Sequence, residues 1–566
     1  MSLDTLTNHI NLSPVGNVIQ SELSGFMPYS FNDGPYTTIS VSALVDADAN
    51  MKRLANPHSN VTIFKGIHLL SNEGVEWIEH QTGVKVNRAE LSAFELPWAN
   101  PRPLHDDAID STSTLIELPH RNIVELYLMR YISSFQNLVF PVISKSLFMG
   151  TLDLAYGLRE VFGYASAKAC VYSLLSLVCL FGLDVNEHEL LDCGAYVSEA
   201  QRLVPSMIQE MTVDGLQSLT MLAQLQYLLG DLQSAAVSIS IATRLLYKLG
   251  AHTTSTGMNH YANLPLYNKS TSECHLRDLF WVCYSFDKDI CLRIGQPPSI
   301  NDSDCDLSLP LEYGRMQNIN IHRDDLTPDD HTLPLFPWDI RLSIIKSEIY
   351  QVLYSTKASF KSASEVLEGI RHLDAVLEHW RLSLDPDIRP LLYYTPNIPV
   401  STVLNTQGVI LRLSYYHCVS MIHQASDRHN IPELGAGFES EGIRSSVKIT
   451  TTASRSTFAL LQATIPSLKG ECCWVVIFYI ITAAQCLFRH ILREPLQFES
   501  SQDVEMLHQV PALLGSIPIR HLTPAEIIHL KFMNGFTTEL ARLGRCAILK
   551  AQRESRGSRN PTPVNQ

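Results

Sequence analysis

Three acidic groups in the sequence have residue types and spacings that could hold a metal ion. Asp106, Asp107 and Asp110 form a D-D-x-x-D pattern, in which carboxylates on one helix face would bind magnesium on a diphosphate. The pattern lies in a Pro- and Asp-rich linker, 97–113, and the second metal motif of such enzymes is incomplete at 301–309. We therefore interpret this cluster as a solvated linker and keep an α-helical enzyme of the isoprenoid-synthase type as an alternative.

The other two groups each lack a residue that their chemistry requires. His188 opens a stretch that begins like a metalloprotease helix, but Asp192 stands where the second histidine ligand would lie. Alternate aspartates in 302–313 begin like a calcium loop. There, Leu307 replaces the glycine of the sharp turn and Tyr313 replaces the closing glutamate. We predict no metal site at either place.

Other catalytic and cofactor motifs are also missing from the sequence. It has no G-x-x-x-x-G-K-[ST] phosphate loop and no G-x-S-x-G nucleophile elbow. Its twelve cysteines lie mostly in apolar stretches, which is typical of buried thiols in a reducing compartment, and no two are spaced as C-x-x-C. The sequence therefore predicts no catalytic residue, no cofactor, no zinc cluster and no enzyme activity.

Composition limits the functions that the whole chain could have. The sequence has 566 residues, a formal net charge of −14, 45% hydrophobic residues and 18% charged residues. This is the balance of a folded protein. Because phosphate binding needs clustered Lys and Arg, the acidic total argues against a nucleic-acid surface spread over the chain. Any DNA contact is expected to be local, weak or made through a partner. The first residues lack the features of a secretory signal, so secretion is not expected.

Helical periodicity dominates the sequence from residue 115 onward. Apolar residues recur every three or four positions in segments bounded by Gly, Pro, Asp or Asn. The pattern predicts an all-α fold, a large multi-helix bundle with disordered N- and C-terminal tails. Besides a short helix within 64–85, helices are predicted near 119–134, 138–149, 163–182, 187–205, 213–229, 232–250, 272–293, 337–357, 362–383, 400–426, 441–466, 472–493, 503–514 and 523–548.

Shifts in composition divide the chain into six segments. They are a flexible lead, a short docking helix with its linker, two helical halves separated by an acidic link, and a basic tail. The corresponding ranges are 1–60, 61–113, 114–310 for the first half, 311–336 for the link, 337–549 for the second half and 550–566.

One segment is apolar over almost the length that a bilayer needs. Residues 472–488 approach the roughly 17–25 residues of a membrane span, but they include Thr482 and Gln485. A large α-domain also needs central helices that are apolar on all sides. Since no second segment of full length exists, we interpret this one as a buried core helix and predict no membrane contact.

The stretch 277–310 has the most distinctive pattern in the chain. A row at helical spacing contains Arg277, Trp281, Tyr284 and Lys288 beside a stripe of apolar residues. The guanidinium could pack across the indole one turn on, and the tyrosine could give its hydroxyl to a buried polar partner. A glycine followed by two prolines then ends the helix before a run of spaced aspartates.

This stretch resembles the signature of the fungal-specific transcription factor domain, the middle homology region of the fungal binuclear zinc-cluster regulators. Five other segments of the chain are similar to other parts of that family and occur in the order in which the family has them. They are 71–83, 118–148, 215–252, 369–383 and 411–423. Asp278, Lys288 and Gln296 stand where the family usually has arginine. The signature residues, for which we predict a structural role, are Arg277, Phe280, Trp281, Tyr284, Asp287, Lys288, Gly295 and Pro297.

The resemblance implies a nuclear transcriptional regulator of a metabolic or secondary-metabolite biosynthetic pathway. It acts through a helical regulatory domain formed by the two helical halves, and a small-molecule effector would fit such a domain. Because the zinc-cluster cysteines of the family are not in this sequence, DNA binding is expected to need a homodimer, a zinc-cluster transcription factor partner or an upstream exon. A ligand sensor or adaptor that does not bind DNA is a further alternative.

Overall fold

The structure is a computed structural model of the chain. It describes residues 63–64, 67–68, 72–86, 116–183, 192–253, 271–321, 333–395, 404–429, 441–519 and 524–559. All of them belong to one compact unit, His58–Gln566. The predicted flexible lead at 1–60 and the linker at 97–113 lie outside the described residues.

Eighteen α-helices contain most of the described residues, which confirms the all-α fold. An antiparallel pair of two-residue strands, β1 (Ile63–Phe64) and β2 (Ile67–His68), precedes them. The helices are α1 (Asn72–Thr82), α2 (Arg121–Ile132), α3 (Phe135–Val139), α4 (Lys145–Ala155), α5 (Tyr164–Leu180), α6 (Cys193–Arg202), α7 (Val204–Glu210), α8 (Val213–Leu228), α9 (Leu232–Lys248), α10 (Thr271–Ile294), α11 (Tyr313–Asn320), α12 (Ile340–Ile349), α13 (Ala363–Leu382), α14 (Thr406–Gln424), α15 (Glu441–Thr464), α16 (Cys473–Arg493), α17 (Phe498–Ser516) and α18 (Pro524–Arg559).

Most predicted helices agree with these bounds, but the one at 138–149 was wrong. The chain instead forms two helices, α3 and α4, with extended backbone between them. Pro141 explains the break, because a proline has no N–H to donate and disfavours helical geometry in the residue before it, here Phe140. Two short helices, α7 and α11, were not predicted, and α11 lies inside the predicted acidic link. The last helix runs to Arg559, beyond its predicted end at 548.

Antiparallel helix pairs build the bundle. α8 and α9 form a hairpin, in which Gly230 takes a φ of 81° and Asp231 caps α9 by accepting a hydrogen bond from Ser234 N at 3.1 Å. α14 packs on α15, α15 on α16, and α17 on α18. α1 packs against α18, where the Lys550 ammonium donates to the His80 carbonyl. The first and last described helices of the unit are thereby joined.

Two helices lie in the centre of the bundle. α10 contacts α8, α9 and α12, whereas α16 contacts α14, α15, α17 and α18 and also reaches α8. Every side chain of α16 from Cys473 to Leu492 is buried. By length and composition the helix Gly470–Arg493 could cross a membrane, but 89% of its most apolar window is buried within the protein. The interpretation of this segment as a core helix is confirmed.

The end of α10 follows the predicted pattern. Gly295 takes a φ of 69°, in the left-handed region that favours glycine, and its N–H donates to the Cys291 carbonyl at 2.9 Å. Pro297 and Pro298 follow and cannot continue the helix. The chain then turns back along α10, which brings the aspartates after 300 next to the side chains of that helix.

Candidate functional site

Most side chains of α10 are buried, and from Leu279 to Ile294 all of them are, including the charged ones. Arg277 is 8% exposed, Asp287 5% and Lys288 1%, while Phe280, Trp281 and Tyr284 are exposed by no more than 1%. We expected a row that was half core and half polar. The polar half is also inside the protein, so its charges need partners there.

Arg277 holds the returning chain against the start of α10. Its two terminal nitrogens donate to the backbone carbonyls of Ala251 at 3.0 Å and Asp306 at 2.8 Å. The guanidinium carbon lies 4.5 Å from the centre of the Phe280 ring and 5.4 Å from that of Trp281. The predicted contact with the indole is therefore present, with the phenyl ring closer.

Lys288 joins the middle of α10 to the aspartate run. Its ammonium lies 3.3 Å from the Asp287 carboxylate and 3.1 Å from that of Asp302, and it donates to the Ile300 carbonyl. The Tyr284 hydroxyl donates to Asp302 at 3.2 Å, so it has the polar partner that we expected, although Asp302 is half-buried and not buried. Lysine in the place of the family's usual arginine thus takes part in an ion-pair network of this signature.

Asp287 holds the loop after the two prolines. Its two carboxylate oxygens accept hydrogen bonds from the backbone N–H groups of Ser299 at 2.7 Å and Ile300 at 3.1 Å.

Gln296, another departure from the family pattern, donates to the side chain of Gln233 on α9 at 2.9 Å. Asp278, the third, is half-buried, and burial raises its pKa to about 7 although the charge of Arg277 opposes the shift.

A second charged cluster on α10 was not predicted from the sequence. The Asp289 carboxylate accepts hydrogen bonds from Arg293, from Lys346 of α12 and from the Tyr227 hydroxyl of α8, each at 2.5 Å. Asp289, Arg293 and Lys346 are all buried. The signal in the sequence was an acid and a base at i and i+4 on a helix whose apolar residues indicate burial.

Arg293 also connects α10 to α16. Its guanidinium carbon lies 4.3 Å from the centre of the Phe478 ring and 4.5 Å from that of Tyr479. His417 of α14 contacts the same two rings edge-on, at 5.5 and 5.8 Å between ring centres. The charged cluster and the apolar core helix therefore share one set of aromatic contacts.

The pKa shifts of these groups follow from burial and from the number of cations beside each. Burial would raise the pKa of Asp289, but the charges of Arg293 and Lys346 outweigh it and hold that pKa well below its usual range. Burial does raise the pKa of Asp287, which has only Lys288 beside it. Burial and then the charge of Arg293 lower the pKa of His417 to about 3. His417 is therefore neutral in the folded protein.

A cavity beside the charged cluster is lined mainly by apolar residues, six of them aromatic. It encloses about 660 Å³ of non-protein space, its open mouth included. Phe286 of α10 contacts three other rings of the wall, with ring centres 5.2 Å from Tyr227, 5.5 Å from Trp338 and 6.1 Å from Phe140. Other lining residues are Phe135, Gln136, Val139, Phe181, Leu228, Pro337, Thr406, Gln407, Ile410, Lys469, Glu471, Cys472 and Val475.

The segment 335–338 forms one wall of the cavity and joins both halves of the bundle. Leu335 N donates to the Leu138 carbonyl at 2.8 Å, and the Gln407 amide donates to the carbonyls of Phe336 and Pro337 at 3.2 and 2.9 Å. Phe336 has a φ of 59°, which non-glycine residues rarely adopt. Next to it, the Trp338 side chain is 3% exposed, and its indole N–H has no hydrogen-bond partner within the described part of the chain.

Within the described residues, the acidic groups considered as metal ligands do not form a metal site. Asp106, Asp107 and Asp110 lie outside the described residues, as does His188. Asp302 faces Tyr284 and Lys288, and the Asp306 carboxylate accepts from Ser308 N at 2.9 Å. Within the described ranges, no three His, Cys, Asp or Glu side chains are grouped as metal ligands.

Comparison with known proteins identifies the class to which this arrangement belongs. The model of the fungal specific transcription factor domain matches residues 167–382, a range that includes α10, the returning aspartate loop and α12. Residues 167–382 are thus similar to the fungal specific transcription factor domain, which confirms the resemblance based on the signature residues. No solved structure matches the chain.

Relatives of the chain are regulators of transcription. The chain is 26% identical over 509 residues to an ABC-transporter-regulating transcription factor of Aspergillus oryzae and, equally, to one of Aspergillus fumigatus; each match covers 87% of this chain and 54% of the relative. It is also 26% identical over 306 residues to the fusaridione A cluster transcription factor of Fusarium heterosporum, covering 52% of this chain and 53% of that protein. The chain thus spans about half the length of these curated relatives.

Proposed function

We propose that the protein is a transcriptional regulator of a metabolic or secondary-metabolite pathway and acts through the described helical bundle as its regulatory domain. The observation that carries this proposal is the domain match at residues 167–382, centred on the buried signature helix α10. The relatives support it, because one is named for control of ABC transporters and another for control of a biosynthetic cluster. Their names also support a nuclear location and a role without catalysis.

The signature residues of α10 have an architectural role in this proposal. They are Arg277, Phe280, Trp281, Tyr284, Asp287, Lys288, Gly295 and Pro297. Their contacts support the role, since they fix the returning loop on α10 through backbone carbonyls and backbone N–H groups. Together with the predicted halves at 114–310 and 337–549, they would form one regulatory unit.

Contact with DNA is assigned to a partner in this proposal. The net charge of −14 supports indirect contact, because a duplex-binding surface needs clustered cations. The partner would be a second copy of the chain or a zinc-cluster transcription factor. A gel-shift titration of the purified 566-residue chain on promoter fragments at physiological salt checks this part. Weak binding without sequence preference is expected if the partner is a zinc-cluster factor, whereas tight and sequence-selective binding would exclude a need for such a factor.

A tethered reporter tests the regulatory function without requiring DNA binding by the chain. The full chain is fused to a heterologous DNA-binding domain and placed before a reporter gene with measurable basal transcription. We expect the reporter output to change, in either direction, relative to the DNA-binding domain alone. The matched variants are Asp289→Ala, which removes a buried charge, and Asp304→Ala, which removes an exposed one. Unchanged output from a folded, nuclear fusion would refute the proposal.

A further inference from the structure

We propose that the aromatic cavity beside α10 binds a neutral, planar aromatic molecule that carries a hydrogen-bond acceptor. The binding itself follows from the cavity, whereas its role as an effector rests on the proposed regulatory function. The cavity is open to solvent at its mouth and its exposed lining is mostly apolar, as is typical of small-molecule sites.

The rings that line the cavity favour a flat aromatic occupant. Phe140 and Phe286 are nearly parallel, with 11° between their planes, while Trp338 meets Phe286 at 85°. Aromatic rings prefer offset-stacked and edge-to-face neighbours, and this wall presents both ring faces and ring edges. A planar ligand could therefore stack on one ring and meet another edge-on.

The charge of the occupant follows from the charges around the cavity. Lys346 lies over the Trp338 ring at 4.9 Å, but its ammonium is paired with Asp289. Tyr227 directs its hydroxyl to the same carboxylate. The other charged lining side chains, Lys469 and Glu471, have opposite signs and favour neither a cation nor an anion. Since an ion placed against the Trp338 wall would be desolvated without a free counter-charge, a neutral molecule is favoured.

The acceptor is assigned from the indole N–H of Trp338. Trp338 lines the cavity, is almost fully buried, and donates to no acceptor among the described residues. A buried donor without a partner carries an unrecovered desolvation cost, and a ligand oxygen or ring nitrogen would remove it. The nearby amide of Gln407 is already used by the Phe336 and Pro337 carbonyls. Trp338 is thus the donor that selects the ligand.

Binding at this place would act on both halves of the bundle. The walls come from α3, α8 and α10 on one side and from α14, the start of α16 and the 335–338 segment on the other. A ligand that fills the cavity adds contacts to all of them, so it stabilises the folded bundle by RT ln(1 + [L]/Kd), which grows with the ligand concentration. This gives the proposed regulator a physical route from ligand concentration to domain stability.

Two probes of similar shape test the proposal on the purified full chain. Flavone is neutral, planar and aromatic with a carbonyl acceptor, and 2-phenylnaphthalene is a hydrocarbon of similar size without one. Equilibrium dialysis should show saturable 1:1 binding of both probes, with flavone bound about tenfold more tightly, the effect of one recovered hydrogen bond. Trp338→Phe, which keeps a ring but removes the N–H, should abolish this preference and still bind the hydrocarbon.

A second variant tests whether the probes bind in this cavity, by filling the cavity while the protein remains folded. Gln136→Trp places a large side chain at a half-buried lining position and should block both probes, whereas Gln201→Trp, a half-buried position on α6, should leave binding unchanged. Circular dichroism and the urea midpoint confirm folding of each variant. No saturable binding to folded wild-type chain, no preference for flavone, or binding unaffected by Trp338→Phe and Gln136→Trp would each overturn the proposal.

The binding assay and the reporter assay can each refute one proposal without refuting the other. If the chain binds flavone with the expected preference but the tethered fusion leaves the reporter unchanged, the ligand site stands and the proposed function fails. If the fusion changes the reporter but neither probe binds, the regulatory function stands and the ligand site is excluded.

Discussion

Two central helices of the bundle are both largely buried but differ in what they bury. α16 is apolar along Cys473–Phe488, apart from Thr482 and Gln485. α10 buries charges at Arg277, Asp287, Lys288, Asp289 and Arg293 in a helix of similar length. Hydrophobic burial is non-directional, whereas a buried ion pair holds only in one geometry. We infer that α16 supplies stability, and that α10 fixes how the neighbouring helices and the returning loop are arranged.

Loss of the Asp289 carboxylate should break the larger buried cluster. In Asp289→Ala, Arg293 and Lys346 keep their charges inside the protein without the group that pairs them. We expect the free energy of unfolding to fall by about 5 kcal/mol, the upper end for a broken buried pair. Urea unfolding measures this as a lower midpoint at an unchanged slope.

The matched control for that variant is Asp304→Ala. Asp304 is exposed in the same signature stretch, so its loss should shift the midpoint little. Equal midpoints for the two variants would contradict the distinction between buried and exposed charge.

Truncation of Trp281 should remove the largest fully buried side chain of α10. Trp281→Ala is expected to lower the free energy of unfolding by about 3–5 kcal/mol, through lost burial and the cavity left behind. Regulatory output should fall together with the protein level. The control is Phe360→Ala at an 85% exposed position. A Trp281→Ala protein that is folded and abundant but inactive would show that this stretch acts as a functional surface.

The sequence predicted the apolar framework better than the polar contacts. The periodicity located most helices, including α10 and α16, because burial of one face leaves a regular pattern. It did not reveal that Asp289 and Lys346 meet, since they are 57 residues apart and only the packing of α12 on α10 joins them. The aromatic cavity could not be predicted from the sequence either, because Phe140, Phe286 and Trp338 come from three separate segments.

Replacement of His417 should change the pH dependence of stability. The pKa of His417 is lowered to about 3 in the folded state, against about 6.5 for an unperturbed histidine. The unfolded chain therefore binds the proton first, and the stability present above pH 6.5 is lost as the pH falls. At pH 5 this amounts to about 2 kcal/mol.

In His417→Phe, the loss of unfolding free energy between pH 7 and pH 5 should be smaller by that amount. Phenylalanine suits the site because neither ring nitrogen of His417 has a hydrogen-bond partner among the described residues. His379→Phe, at an exposed position on α13, is the matched control and should keep the wild-type pH dependence. The explanation fails if His417→Phe responds to acid as the wild type does.

A small change on α16 should have the smallest effect. Ile480 is fully buried, and Ile480→Val removes one methylene group from an apolar environment. We expect a loss of about 1 kcal/mol in the free energy of unfolding, with the reporter output unchanged. A loss as large as that of Asp289→Ala would show that α16 is under the same geometric constraint as α10.

Chromatin immunoprecipitation of the tagged full-length chain, expressed at its natural level in the fungus, tests the central claim most directly. We predict enrichment at promoters whose transcripts change when the gene is deleted, with the genes belonging to a metabolic or secondary-metabolite pathway. Asp304→Ala should keep this enrichment and Asp289→Ala should lose it. Absence of the wild-type protein from all promoters, at normal protein level, would contradict a role in transcription.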